Sequence, residues 1–324
     1  MNNLFDEAFA KIAEANTIAI SSHINVDGDA LGSSLGMYHH LKNIGKNVDI
    51  FIDSVIPENL RSLPSVEEIN NKKFKDYDLV IFTDAADEFR LGANKNLVHE
   101  YELKSVQFDH HEVNTRFAKT NIVCVMSSAS ELVADYLFYT DSAITQDMAR
   151  CLITGMYTDT GKLSFSSVTP KTFSVISKLL EESGINIETV TYPLYNSVTK
   201  KEFEVRKLGY SKIEFYDDDQ IAIVALSYED ICKLDIELFM TKSLVDLALP
   251  LKTIKVVALM TEFTPNTVFC SFRTKGNVSA KRLAMVYGGN GHPNAAGCKM
   301  RRCIFEAEKK GVIENAKKLI KGTL

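Results

Sequence analysis

The sequence predicts an α/β protein: an N-terminal, mostly parallel sheet flanked by helices, followed by a smaller α+β domain across a cleft. Three observations carry this. Short β-branched runs alternate with helix-period segments through the first half. Clusters of aspartate and histidine follow three of those runs. The second half changes to paired strand runs with few helices between them. A length of 324 residues suits about two domains.

Residues 17–20 form an apolar strand run. A polar loop leads into a helical pattern over 30–41, with Leu31, Leu35, Tyr38 and Leu41 on one side. Strand runs follow at 48–52, 79–82, 106–108 and 122–125, and helical segments at 131–139, 146–157 and 171–183. Such alternation builds a parallel sheet covered by helices. Further on, strands at 213–216 and 221–226 flank a hairpin turn at Asp217, Asp218 and Asp219. Strands are expected at 254–260 and 268–272, and helices at 242–249, 279–286 and 306–320. The expected division is a first domain over 1–195, a charged linker over 196–207 and a second domain over 208–324. The chain has no internal repeat and no low-complexity segment.

The formal net charge is −5, which argues against a protein that coats long nucleic acid. Short nucleotides need only a few placed cations and stay open as ligands. Six cysteines occur without a Cys-x-x-Cys pair, as expected of reduced thiols in a cytoplasmic protein. The start, Met-Asn-Asn-Leu-Phe-Asp-Glu, is acidic where a secretory signal needs bases. No apolar run reaches the length of a membrane span, so no membrane partner is expected.

The chemistry lies at the strand ends. The first strand runs into His23, Asp27, Gly28 and Asp29; the third ends at Asp84; the fourth ends at Asp109, His110 and His111. Ligands of open parallel sheets bind outside the carboxyl ends of the strands, so three such clusters converge on one crevice. Asp159, just past a helical segment, is a fourth candidate. Carboxylates and imidazoles without thiolate suit Mn2+ or Mg2+ better than structural zinc. They also suit two cations about 3.5–4 Å apart that lower the pKa of a water and clamp the attacking and leaving oxygens.

Simpler roles exist for each residue. Asp29 could cap the helix that follows, Asp27-Gly28 could be a turn, and Asp84 a loop aspartate. His39 and His40 read as ordinary helix side chains. His23, His110 and His111, however, all stand at strand ends beside aspartates. Ser128-Ala129-Ser130-Glu131 fits a helix capping box rather than a nucleophile setting. Gly288, Gly289, Gly291 and His292 lie in a glycine-rich stretch over 288–297. That stretch could be a helix stop with a loop, or a backbone-amide nest for phosphate. Arg273 and Lys275 could add cationic contacts or be surface charges.

With these residues in place, the chain resembles the DHH phosphoesterase superfamily with an appended DHHA1 domain. Asp109-His110-His111, continuing to Asn114, matches the naming motif. His23-x-x-x-Asp27-x-Asp29 matches the first motif, Asp84 the second and Asp159 the fourth. Residues 288–297 resemble the glycine-rich DHHA1 signature. The resemblance implies that His23, Asp27 and Asp84 hold one metal, and that Asp29, Asp84, His110 and Asp159 hold the other, with Asp84 bridging. It implies that Asp109 orients a histidine, that His111 faces the substrate phosphate, and that Asn114, Arg273 and the 288–292 loop, with His292, contact substrate. Val26, Asn290 and residues 162–165 depart from the family pattern without removing a ligand.

Within that family the compact architecture resembles the bacterial branch that degrades very short RNA, including linear dinucleotides such as pApA, and dephosphorylates 3′-phosphoadenosine 5′-phosphate. The implied partners are short oligonucleotides and small nucleotides, with a homodimer as the assembly to test. The rival readings are a family II-like inorganic pyrophosphatase and a catalytically silent nucleotide-binding protein.

Overall fold

The computed structural model describes residues 2–324, and the chain divides into two compact units, Met1–Ser197 and Val198–Leu324. The first unit contains α1 (Asn2–Glu14), β1 (Thr17–Ser21), α2 (Gly28–Asn43), β2 (Asn47–Phe51), β3 (Leu79–Thr83) and α3 (Asn96–Glu100). It continues through β4 (Ser105–Asp109), β5 (Thr120–Val123), α4 (Ala129–Tyr139), α5 (Gln146–Asp159), α6 (Pro170–Ser183) and α7 (Glu188–Thr191). The strands form one sheet in the order β2-β1-β3-β4-β5, with every neighbouring pair parallel. The expected parallel sheet is therefore present.

Its strands are apolar on both faces because both faces are covered. Alternation along β1 sends Ile18 and Ile20 into the larger core and Ala19 into the smaller one on the opposite face. On β3, Leu79 and Ile81 go one way and Val80 and Phe82 the other. Helix α1 was not expected, although Phe5, Ala8, Ile12 and Ala15 are all buried at helical spacing. Helix α2 is buried along almost its whole length. Its close approach to α5 depends on glycine: a Cβ at Gly32 would lie 2.5 Å from the Cys151 carbonyl and 2.8 Å from the Gly155 nitrogen.

The second unit contains α8 (Lys200–Ser211), β6 (Ile213–Tyr216), β7 (Ile221–Leu226), α9 (Tyr228–Lys233), α10 (Leu238–Thr241) and β8 (Val256–Thr264). It ends with β9 (Thr267–Thr274), α11 (Ala280–Val286), β10 (Asn290–Gly291), β11 (Ala295–Arg301) and α12 (Phe305–Ile320). Its sheet runs β10-β11-β9-β8-β7-β6, and only β7 and β8 pair in parallel. The Asp217–Asp219 hairpin is present, with all three aspartates in the left-handed region.

Three segments differ from expectation. Residues 242–246 form a 3₁₀ turn rather than an α-helix, and Pro250 disfavours helical geometry at Leu249. The stretch 196–207 includes most of α8, started by a capping box between Thr199 and Glu202. The glycine-rich stretch 288–297 is the β10–β11 hairpin. No helix of the described residues is long and apolar enough to cross a membrane.

The α2–α5 contact yields a stability prediction. Gly32→Ala should cost about 1–3 kcal/mol, because its Cβ meets backbone. Gly36→Ala should cost less, because it meets only the movable Leu152 side chain. Urea denaturation of both variants ranks them, and equal stability would show that α5 can retreat freely.

Candidate metal centre

The order β1-β3-β4 puts three strand ends side by side, with β3 in the middle. The residues just past those ends are His23, Asp84 and His110. Asp84 follows β3 with a left-handed backbone, φ +53°, a conformation aspartate tolerates better than most residues. Its carboxylate is buried between two imidazoles. His23 Nε2 lies 3.2 Å from Oδ2, and His110 Nε2 lies 3.5 Å from Oδ1.

Each of these histidines is oriented by a carbonyl. The His23 Nδ1–H donates to the Ile24 carbonyl at 2.7 Å, and the His110 Nδ1–H to the Met126 carbonyl at 3.3 Å. A carbonyl only accepts, so Nδ1 carries the proton and Nε2 is turned toward the aspartates. Backbone partners of this kind fix ring orientation at metal sites.

The remaining carboxylates come from helix ends. Asp27 caps α2, its Oδ1 accepting from the Asp29 and Ala30 amides at 3.0 Å, and stands 3.8 Å from His23 Nε2. The capping and ligand roles considered for this loop are therefore compatible, with Asp27 rather than Asp29 as the cap. Asp29 is buried and accepts the Ala129 and Ser130 amides, 2.7 and 2.9 Å, at the start of α4. The positive helix end favours its charge there. Asp159 ends α5, where the dipole disfavours a carboxylate. Asp29 and Asp159 each lie 3.7 Å from His110 Nε2.

Three overlapping groups with metal-ligand spacing result: His23, Asp27 and Asp84; Asp29, His110 and Asp159; and Asp84, His110 and His111, in which the His111 Nδ1 is already engaged by Asp109. The Asp84 carboxylate faces the first two. Its Oδ1 is buried without a hydrogen-bond partner, an arrangement that a cation would relieve. The donor set of carboxylate oxygens and imidazole nitrogens therefore fits hard or borderline divalent cations.

Without a cation the cluster shares its charges internally. Burial tends to lower the His110 pKa, but the carboxylates of Asp84, Asp29 and Asp159 outweigh it and raise the pKa to about 10. Burial, reinforced by Asp84 and Asp27 and opposed by His110, pushes Asp159 up to about 6. Burial and the Asp84 charge push Asp29 well above the carboxylate range. Asp84 goes the other way: burial raises it, but the adjacent imidazoles of His110 and His23 hold it below that range.

Behind this cluster, Asp109 is fully buried. Its Oδ1 accepts from His111 Nδ1–H at 3.0 Å, and its Oδ2 from the His111 amide at 3.1 Å and Asn114 Nδ2 at 2.6 Å. Asn114 Oδ1 accepts the Arg116 amide, so the Asn114 side chain is committed to holding Asp109. His111 Nε2 meets Arg90 Nη1 at 3.3 Å. The sequence reading missed Arg90; its one signal is its place in the loop at the carboxyl end of β3. The expected capping box at 128–131 is half made: Ser128 caps the Glu131 amide, but the Glu131 carboxylate turns to Ser127 and Thr172.

In the second unit, Arg273 Nε lies 3.4 Å from Asp246, and Nη1 donates to its neighbour's carbonyl at Phe272. The amides of Gly288, Gly289 and His292 already donate to Met285, Ala284 and Ala295 carbonyls. The nest reading thus finds these three donors spent. A Cβ at Gly289 would lie 2.2 Å from the Gly297 carbonyl, so this glycine serves close packing on β11.

Residues 17–156 match the DHH family, N-terminal domain, and residues 215–323 match the DHHA1 domain. The bifunctional oligoribonuclease and PAP phosphatase NrnA of Thermus thermophilus is 28% identical over 300 residues, 92% of this chain and 88% of that protein. The Bacillus subtilis protein of the same name is 24% identical, covering 90% and 91%. The crystal structure of an exopolyphosphatase-related protein from Bacteroides fragilis superposes with a TM-score of 0.90 at 27% identity, over 99% of this chain and 98% of that one. The chain belongs to the DHH family, a DHH N-terminal domain carrying a C-terminal DHHA1 domain.

Proposed function

We propose that this chain is a cation-dependent phosphoesterase acting on short oligoribonucleotides. Its substrates would include linear dinucleotides such as pApA, cut to mononucleotides, and 3′-phosphoadenosine 5′-phosphate, which would lose a phosphate. The observation that carries the reading is the buried Asp84 carboxylate, with one unpartnered oxygen, between two imidazoles whose Nε2 atoms face it. The names of the relatives support the substrate class.

His23, Asp27 and Asp84 would hold one cation, and Asp29, Asp84, His110 and Asp159 a second, with Mn2+ the favoured ion for this donor set. Such cations would supply Lewis acidity and a water of lowered pKa. The Ile24 and Met126 carbonyls hold the two imidazoles in ligand orientation. The α4 amides keep Asp29 aimed inward. Asp109 holds His111 through Nδ1, leaving Nε2 toward the approach side. For His111 to give a proton to the leaving oxygen, Nε2 must carry that proton and release Arg90; Asp109 opposite would stabilise the resulting imidazolium. Arg273 and His292, with the 288–291 turn, stand as proposed substrate-side residues, whereas Asn114, expected among them, is spent on Asp109 and Arg116. The spent amides favour a contact from the His292 side chain, which follows that turn.

The direct test is mononucleotide release from an end-labelled RNA dinucleotide with Mn2+. Asp84→Asn should lower turnover by more than about a hundredfold, since even groups behind metal ligands act on that scale. Circular dichroism should show an unchanged fold. Near-normal turnover in the variant would sink the two-cation assignment, and fast hydrolysis of pyrophosphate alone would replace the substrate.

A second test uses protons. With a pKa of about 10, metal-free His110 is protonated at neutral pH, so a cation must expel that proton. Affinity for Mn2+ should fall as pH falls. Calorimetry in two buffers of different ionisation enthalpy should show release of about one proton or more at pH 7.5. No release would remove His110 from the ligand set.

A further inference from the structure

Arg90 stands beside the candidate centre with most of its donors unused. One nitrogen, Nη1, reaches His111 Nε2 at 3.3 Å. No carboxylate of the described residues comes within ion-pair distance of its guanidinium, and Nε and Nη2 have no partner among them. This is unexpected in a site that gathers Asp27, Asp29, Asp84, Asp109 and Asp159. A half-buried guanidinium left unneutralised there is available to an anion.

Its backbone is fixed rather than loose. Asp87 accepts the Arg90 amide on both its carboxylate and its carbonyl, at 3.1 and 3.3 Å. The Arg90 carbonyl in turn accepts the Ile24 amide at 2.7 Å, which ties the segment to the loop that carries His23. Two residues on, Gly92 has φ +62°, and a Cβ there would lie 2.4 Å from Ile24 and 2.5 Å from Asp53. Asp53 also accepts the Ala93 amide at 2.7 Å. The turn therefore delivers the arginine to one place, next to His111.

We propose that Arg90 is the phosphate-recognising residue of the first unit: its free guanidinium nitrogens bind a non-bridging oxygen of the substrate phosphoryl group while His111 holds the group in register. The planar fork lets one edge remain near His111 as the other meets the phosphate. This rests on the phosphoesterase reading for its substrate, but the anion contact can be measured without turnover.

The test is equilibrium dialysis of radiolabelled inorganic phosphate against the Mn2+-loaded full chain, alongside kcat and KM on the RNA dinucleotide. Arg90→Ala and Arg90→Gln should each weaken phosphate binding by about tenfold or more, the effect of one charge-assisted contact. They should depress kcat/KM at least as much. Arg90→Lys should recover part of both. Mn2+ affinity and melting temperature should stay at wild-type values in the Lys and Gln variants. Phosphate affinity kept by Arg90→Gln would overturn the proposal, since glutamine carries no charge and lacks the guanidinium fork. Mn2+ affinity lost in parallel, or no phosphate binding by the wild type, would overturn it too. Wild-type phosphate binding that depends on Arg90, without ester cleavage, would leave the anion contact standing and refute the phosphoesterase reading.

Discussion

A buried carboxylate oxygen without a hydrogen bond is costly, on the order of 1–3 kcal/mol or more for a charged group. Asp84 carries that cost at the centre of the sheet. The neighbouring arrangement follows from it. Parallel pairing of β1, β3 and β4 brings imidazoles to both sides of the carboxylate. The imidazoles are held by backbone carbonyls rather than by acids, so their second nitrogens remain directed at Asp84. The starts of α2 and α4 provide amides that support Asp27 and Asp29. Structure has been invested in keeping the carboxylates of this cluster poised.

The helix ends divide the aspartates by environment. Asp27 and Asp29 sit where amides and dipoles favour negative charge, whereas Asp159 sits at the unfavourable end of α5. The raised pKa of Asp159 follows from burial and from its acidic neighbours. Asp29, despite its amide partners, and Asp159 are both raised by burial and acidic neighbours, so the charge of the site depends on what occupies it.

Much of this was readable from residue order. Strand runs ending in His23, Asp84 and Asp109-His110-His111 needed only the rule that parallel strands deliver their carboxyl ends to one edge. Some missed features also had local signals. The spacing of Phe5, Ala8 and Ile12 marks α1, and Thr199-Lys200-Lys201-Glu202 has the form of the capping box that starts α8. Others had none. Whether Asp27 or Asp29 caps α2 depends on where the helix begins. Asp29 is engaged by amides a hundred residues away. The 288–297 stretch reads as a loop because glycine suppresses any strand period, yet its backbone pairs with β11. Arg90 is one arginine among many until the fold sets it against His111.

The absence of side-chain volume along α2 has a mechanical result. Gly32 lies one turn beyond Asp29, and its contact is the backbone of α5 near Gly155. Gly155 is likewise one turn before Asp159, and a Cβ there would come 2.8 Å from the Asp29 carboxylate itself. The two helices thus behave as the arms of a calliper whose closure sets how far Asp29 stands from Asp159. A single methyl group at either pivot would press the arms apart, so the separation of the two carboxylates is written in residues that have no chemistry of their own.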